Sequence, residues 1–304
     1  MRLFITGGSG LVGRRLVRAA IDARHQVLVL SRSDRQAVLP AATTLLEGNP
    51  TEAGPWQQTA ASCDAIINLA GENIFAKRWS ADFKEVLRRS RVETTRRVAE
   101  VFGREDCRTR VLVSTSAVGY YGHSEGITFR EDAPPGEGFL PELCVAWEAA
   151  AGTAAERGAR VVILRIGVVL DSAGGALAAM LPAFRRFVGG PVGSGRQYVS
   201  WIHVHDLVGL ILHALETDSL SGPVNATAPH PVTNRGLSRA LGCVLSRPSV
   251  FRMPGFAMRL LLGEVADVVL TGQRVLPAKA EASGYRFRFE RLEDALRDLM
   301  SQPS

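Results

Sequence analysis

Apolar residues are spaced along the first half of the chain in two alternating rhythms. Short, mainly apolar runs at residues 3–6, 26–30, 43–46, 65–69, 111–114 and 161–166 lack polar alternation, which suits strands buried on both faces. Between them, residues 11–24, 81–102 and 141–157 place apolar positions at helical spacing. This alternation predicts a parallel sheet with helices on both faces, and right-handed crossovers make it a doubly wound, Rossmann-type α/β fold. After Arg165 the rhythm changes. Residues 171–197 are loop-rich, with glycine pairs at 174–175 and 189–190. Stretches 199–204 and 223–227 read as further strands with a helix between them, and 233–304 is mostly helical, broken at Pro248, Pro254 and Pro277. The expected division is a large domain over 1–228, containing the cleft segment 171–197, and a smaller C-terminal lobe over 229–304.

The first strand runs into Gly7, Gly8, Gly10 and Gly13 and then into a helix. A glycine turn between a buried strand and a helix N-terminus directs free N–H groups and the positive end of the helix dipole at one point, which suits a pyrophosphate. The motif alone is weak, but here it sits within one strand–helix–strand unit, the context it requires. A dinucleotide is therefore the expected ligand. The end of the second strand selects which one. An acidic residue there would bind a ribose hydroxyl, whereas this chain has Ser31 and Arg32, with no acid before Asp34. A hydroxyl beside a guanidinium fork suits a 2′-phosphate, so NADP(H) is expected over NAD(H).

Composition narrows the class further. With 46% hydrophobic and 22% charged residues, the chain is an ordinary globular protein rather than a disordered one. No apolar run is long enough to span a bilayer, and the start lacks a signal-peptide layout, so the expectation is a cytoplasmic protein with no membrane partner. The net charge of +6 comes from scattered arginines, densest at 88–91 and 108–110, which read as solvated faces rather than a nucleic-acid site. Cys63, Cys107, Cys144 and Cys243 are too far apart in sequence for a zinc motif and read as free thiols. A small-molecule substrate is the expected partner, with a homodimer left open.

The segment TGGSGLVG at 6–13 resembles the glycine motif of the extended short-chain dehydrogenase/reductases, and NLAGENI at 68–74 is similar to the Ala-Gly motif of that superfamily. SRVETTRRV, VSTSAVGYYG, WEAAA, LRIGVVL, GGPVGSGRQYVSWIHVHDL and GPVNATAP follow in order. Together with the C-terminal GQRVLPAKAEASGYRFRF, they resemble the epimerase-like 39U1 group over nearly the whole chain. The resemblance implies that Gly7, Gly10, Leu11, Val12 and Gly13 form the pyrophosphate loop, and that Ser31 and Arg32 meet the 2′-phosphate. It places Leu69, Ala70 and Gly71 beside the adenosine side, Glu85 and Arg91 facing the cofactor, and Val168 as a backbone contact near the nicotinamide.

The same resemblance exposes a departure. The superfamily pairs a catalytic Tyr with a Lys four residues later, which lowers the phenol pKa. The residues four beyond Tyr120, Tyr121, Tyr198 and Tyr285 are Ser124, Glu125, Ile202 and Phe289. Counting back from Glu148 puts Val145 at the Lys position and Pro141 at the Tyr position. Ser116 matches the superfamily Ser, and a Ser116–Tyr121 proton relay is the expected catalytic pair, with Tyr120, Glu72, Glu142 and Cys144 as other candidate acids. Arg196 and Gln197 either hold an anionic substrate group or shape a surface loop. Asp206 is expected to cap a helix, and His203 and His205 lack a nearby third ligand, so no bound metal is expected.

Two functions stay open on the sequence. One is an NADP(H)-dependent oxidoreductase or epimerase-like enzyme acting on a carbonyl, alcohol or sugar-nucleotide substrate without the Tyr–Lys pair. The other is a catalytically inactive NADP(H)-binding sensor or regulatory module.

Overall fold

A computed structural model describes residues 1–33 and 36–301 of the chain. Seven strands form the central sheet: β1 (Arg2–Thr6), β2 (Gln26–Ser31), β3 (Thr43–Glu47), β4 (Ala65–Asn68), β5 (Val111–Ala117), β7 (Arg160–Ile166) and β11 (Gly222–Ala226). All neighbours are parallel, in the order β3-β2-β1-β4-β5-β7-β11. Short pairs join β6 (Thr128–Phe129) to β13 (Arg274–Val275), β8 (Val168–Leu170) to β10 (Trp201–His203), and β9 (Tyr198–Val199) to β12 (Val232–Thr233). The doubly wound arrangement expected from the apolar runs is present.

The layers follow from the two-residue period of the strands. Leu3 and Ile5 of β1 point to one face, where they pack with Leu16 and Val17 of α1 (Leu11–Asp22) and Leu207 and Ile211 of α6 (Val204–Glu216). Phe4 points to the other, among Trp56 of α2 (Trp56–Ala61), Val98 of α3 (Ala81–Glu100) and Ala151 of α4 (Phe139–Gly152). The predicted helix over 141–157 is thus shorter, ending before a separate turn at Ala155–Arg157.

A further core holds the second lobe. It joins Leu177 and Leu181 of α5 (Gly175–Arg185) to Leu237 and Leu241 of α7 (Asn234–Leu245) and to Leu292 and Leu296 of α11 (Leu292–Ser301). Two short helices, α8 (Gly255–Leu262) and α9 (Asp267–Leu270), extend this lobe. The chain then returns to the sheet, where Ala280 of α10 (Ala278–Ala282) and Phe287 join the core beneath α6. No single cut in the sequence separates the two cores, because 170–184 contributes to the lobe and 280–287 to the sheet. No helix among the described residues is long and apolar enough to cross a membrane.

Asp206 connects the lobes. Its own helix is capped by His203, whose Nδ1 accepts the His205 N–H at 3.1 Å, so the capping expected of Asp206 falls elsewhere. The Asp206 carboxylate is buried and accepts the N–H groups of Arg288 at 2.7 Å and Phe289 at 2.9 Å. Replacing Asp206 with Ala would orphan both donors. The expected loss is about 3 kcal/mol of unfolding free energy in a urea titration, and an unchanged midpoint would refute this bracing role.

Candidate active site

The glycine turn is built for close backbone approach. Gly7 has φ +71°, and a Cβ placed there would lie 2.7 Å from the carbonyl carbon of Leu69. A Cβ on Gly13 would lie 2.2 Å from the Gly7 carbonyl oxygen, so only glycine lets α1 sit this close to the turn. Gly10 precedes α1 and donates its N–H to Gly7 at 3.0 Å. The first turn of α1, at Leu11, Val12 and Gly13, has no side-chain cap and no acidic residue. Its free N–H groups and positive dipole end fit a pyrophosphate. Asp171, fully buried after β8, holds Arg15 of α1 through two bonds of 3.1 Å, and Gly174 closes over Leu11.

The remaining cofactor candidates are placed unevenly. At the end of β2, the Ser31 hydroxyl donates to the Ser33 carbonyl at 2.8 Å, and Arg32 is exposed. That leaves a guanidinium in solvent where a 2′-phosphate would need one; Asp34 lies outside the described residues. Leu69 and Ala70 line the turn beside Gly7, and Gly71 lies against Arg91, whose guanidinium carbon would be 3.3 Å from a Cβ there. Arg91 donates to the Glu72 carbonyl at 2.8 Å and stacks over Trp147, bracing the loop from α3. Glu85 is not brought to this loop. Six residues before Arg91, it points about 120° away around the helix, with a side chain 70% exposed beside Arg88. The Val168 N–H already donates to the Ser200 carbonyl at 2.7 Å.

Ser116 lies at the carboxyl end of β5, the sheet edge where doubly wound folds bind ligands. Its hydroxyl donates to Glu148 Oε1 at 2.7 Å. Arg165 of β7 clamps the same carboxylate, with Nε 2.9 Å from Oε1 and Nη2 2.8 Å from Oε2. Burial acts to lower the Arg165 pKa, but the hydrogen bonds and charge of Glu148 outweigh it and hold the guanidinium above its usual range. Arg165 also covers the Tyr120 ring at 3.5 Å.

The expected direct Ser116–Tyr121 pairing does not form. Tyr121 is buried, donates to Asn225 Oδ1 at 2.7 Å and accepts from Arg165 Nη1 at 2.9 Å. Burial raises its pKa, with Arg165 acting against it, so the phenol stays protonated at neutral pH. Glu148 takes the place expected of Tyr121. The sequence held this signal in the Trp-Glu pair of α4, but only the partner Arg165, 17 positions later, gives it a role.

Residues 3–226 match the NAD dependent epimerase/dehydratase family, and residues 253–299 match a domain of unknown function, DUF1731. The chain belongs to this epimerase family. An Arabidopsis thaliana protein named epimerase family protein SDR39U1 homolog, chloroplastic, is 44% identical across 99% of this chain and 87% of its own length. The Bos taurus epimerase family protein SDR39U1 is 37% identical across 99% of this chain and 100% of its own. The crystal structure of human epimerase family protein SDR39U1 with NADPH superposes with a TM-score of 0.87 at 34% identity, over 99% of this chain and 100% of that one. A UDP-glucuronic acid 4-epimerase from Bacillus cereus reaches 0.80 at 14% identity, a likeness of fold alone. The resemblance read from the ordered motifs is therefore correct.

Within this epimerase family, the α4 face is revised. Val145, aligned by counting to the Lys position, is 41% exposed, and Glu142 is exposed too. Cys144 is the residue turned inward, with its Sγ 3.8 Å from the Ala117 carbonyl. Burial, reinforced by Glu148, pushes its thiol up to about 11. Gln197 is buried and donates to the Val192 and Val269 carbonyls, which makes it a loop brace. Arg196 instead lines a cavity of about 380 Å³ with Glu125, Tyr198 and Arg235.

His203 and His205 do acquire a third neighbour, Asp298 of α11, with candidate ligand atoms within 4.8 Å of one another. The helix cap occupies the His203 Nδ1 lone pair, which leaves the ring proton on Nε2, 3.4 Å from Asp298 Oδ2, and makes this ring a poor metal ligand. Burial and then the His205 charge lower the His203 pKa to about 4. The unfolded ring titrates near 6.5, so below that value the unfolded chain takes up a proton that the folded one refuses. Stability from this group is complete above about pH 6.5 and declines toward pH 4. His203→Asn keeps a cap acceptor without a titrating ring, and denaturant titrations across this range should give a flatter profile than wild type. An equally steep profile would assign the pH dependence to other groups.

Proposed function

We propose that this epimerase-family chain binds NADP(H) and carries out hydride transfer on an alcohol, carbonyl or sugar-nucleotide substrate, with Ser116 and Glu148 moving the proton. The single observation behind the chemistry is the 2.7 Å bond from Ser116 to a carboxylate charge-balanced by Arg165. Cofactor choice is supported by exposed Arg32 at the end of β2, and by the NADPH named with the human SDR39U1 structure. Gly7, Gly10, Leu11, Val12 and Gly13 would hold the pyrophosphate, Ser31 and Arg32 the 2′-phosphate end, and Leu69 to Gly71 with Arg91 the wall beside it. When bound, the nicotinamide supplies or accepts the hydride. In the oxidising direction the substrate hydroxyl proton passes to Ser116 Oγ as the Ser116 proton moves to Glu148 Oε1; reduction reverses both transfers.

The substrate is best matched by an anion. One cavity in the lobe, of about 380 Å³, is lined by Arg196 and Arg235, with Glu125 3.6 Å from Arg196. A phosphate-bearing group would be met there by guanidinium forks. A Corynebacterium glutamicum structure titled nucleoside-diphosphate sugar epimerase, 30% identical over 98% of this chain and 58% of that one, favours a sugar nucleotide. The sensor reading is supported by the missing Tyr–Lys pair, with Pro141 and Val145 at the counted positions on α4.

Screening NADPH oxidation against a panel of sugar nucleotides and carbonyl compounds separates these readings. Ser116→Ala should lower kcat about 100-fold without changing NADPH affinity, whereas Tyr121→Phe should leave kcat within about threefold and lower stability by about 1–2 kcal/mol. Full turnover in Ser116→Ala would sink the relay, and tight NADPH binding with no turnover across the panel would favour the sensor. Arg32→Ala should weaken NADPH binding by about tenfold or more and leave NADH binding nearly unchanged; equal losses for both would show that Arg32 does not read the 2′-phosphate.

A further inference from the structure

The lobe carries an apolar surface that the reaction does not use. No residue of α8 is buried, although Phe256, Leu260 and Leu261 on it are 75%, 78% and 68% exposed. The segment before it adds Val250, 75% exposed, and Phe251, 56% exposed. This segment runs beside 187–192: the Phe251 N–H donates to Gly189, the Met253 N–H donates to Pro191, and Met253 bridges Val192. Phe187 and Val188, each 53% exposed, continue the surface, and Arg247 stacks on Phe187 at 4.4 Å. Single exposed apolar side chains are ordinary, but seven on three adjoining segments suit a contact surface.

Charge identifies what it contacts. Residues 172–205 and 219–263 contain no Asp or Glu and no Lys, yet carry three and five arginines respectively. Arg185 and Arg186 are exposed beside Phe187. The nearby carboxylates are committed, Asp267 to Arg259 at 3.0 Å and Glu264 to Lys84 at 2.6 Å. A second copy of the chain would set arginines against arginines across a two-fold contact. A nucleic acid would meet the arginines but leave the leucines, phenylalanines and Val250 against a polar backbone. A bilayer with anionic headgroups meets both, with apolar side chains entering the headgroup–acyl boundary and arginines remaining at the phosphates.

We propose that the face formed by α8, 250–253 and 185–188 docks the protein peripherally on an anionic lipid surface. This is independent of the hydride-transfer reading. The lack of a bilayer-spanning run, which set the expectation of no membrane partner, does not bear on a surface contact of this kind.

The test is co-sedimentation of the full chain with vesicles of phosphatidylglycerol and phosphatidylcholine, against vesicles of phosphatidylcholine alone. Binding should require the anionic lipid and weaken as salt rises from about 0.1 to about 0.5 M. The combined Phe256→Ser, Leu260→Ser and Leu261→Ser variant should bind about tenfold more weakly, as should Arg185→Gln with Arg186→Gln. NADPH titration of each variant should match wild type, which confirms that the fold is intact. Equal binding of wild type to both vesicle types, or undiminished binding of the serine variant, would overturn the proposal. So would a wild-type dimer on size-exclusion chromatography that the serine variant abolishes, or duplex DNA bound as tightly as the anionic vesicles.

Discussion

The buried ion pair between Arg165 and Glu148 is the interaction on which the site and the lobe both depend. Neither charge has much solvent to fall back on, since their side chains are 3% and 11% exposed. Removing either partner from such a pair typically costs about 3–5 kcal/mol, so each group fixes the other. The pair joins β7 to α4 and holds Ser116 against the carboxylate. From Arg165 the network continues to Tyr121 and the Glu131 carbonyl, then through Asn225 to the Leu276 carbonyl. Glu131 in turn accepts the N–H groups of Asn225 and Lys279. One guanidinium therefore sets the geometry around Ser116 and ties the returning C-terminal segment to it.

A second constraint acts on the backbone. The turn after β1 approaches the turn after β4 so closely that Gly7 has no room for a side chain, and α1 meets that turn only through Gly13. Behind these turns, Asn68 accepts from the Thr6 hydroxyl at 2.6 Å and donates to Thr95 at 2.8 Å, while Trp147 donates to the same Thr95 at 2.8 Å. All four residues are buried, and the network locks β1, β4, α3 and α4 in register. The cofactor cradle and the helix that carries Glu148 are thus held by one set of hydrogen bonds. This is a physical reason why a chain without the Tyr–Lys pair keeps an ordered site.

Much of the fold was legible because its signals are local. Double-sided burial writes short, mainly apolar runs, and the strands at 3–6, 26–30 and 43–46 were read from them to within a residue or so. The glycine turn was legible because backbone crowding admits one residue type. The exposure of Glu85, on a different face of α3 from Arg91, was not legible because motif alignment gives a position along a helix without its face. Counting along α4 put Val145 at the Lys position, and the helix turns it to solvent while Pro141 and Cys144 face inward, because each residue rotates the face by about 100°.

By itself the sequence determined the sheet, the cofactor loop and the family, because burial, glycine geometry and ordered motifs are each carried by neighbouring residues. The tertiary structure alone decided which polar groups meet. Glu148 became the partner of Ser116 only when β7 brought Arg165 to it, and the Tyr121 hydroxyl donates instead to Asn225, 104 positions away. Asp298 reached His203 in the same way. Contacts of this kind depend on loop closure across distant segments, and no local spacing encodes them.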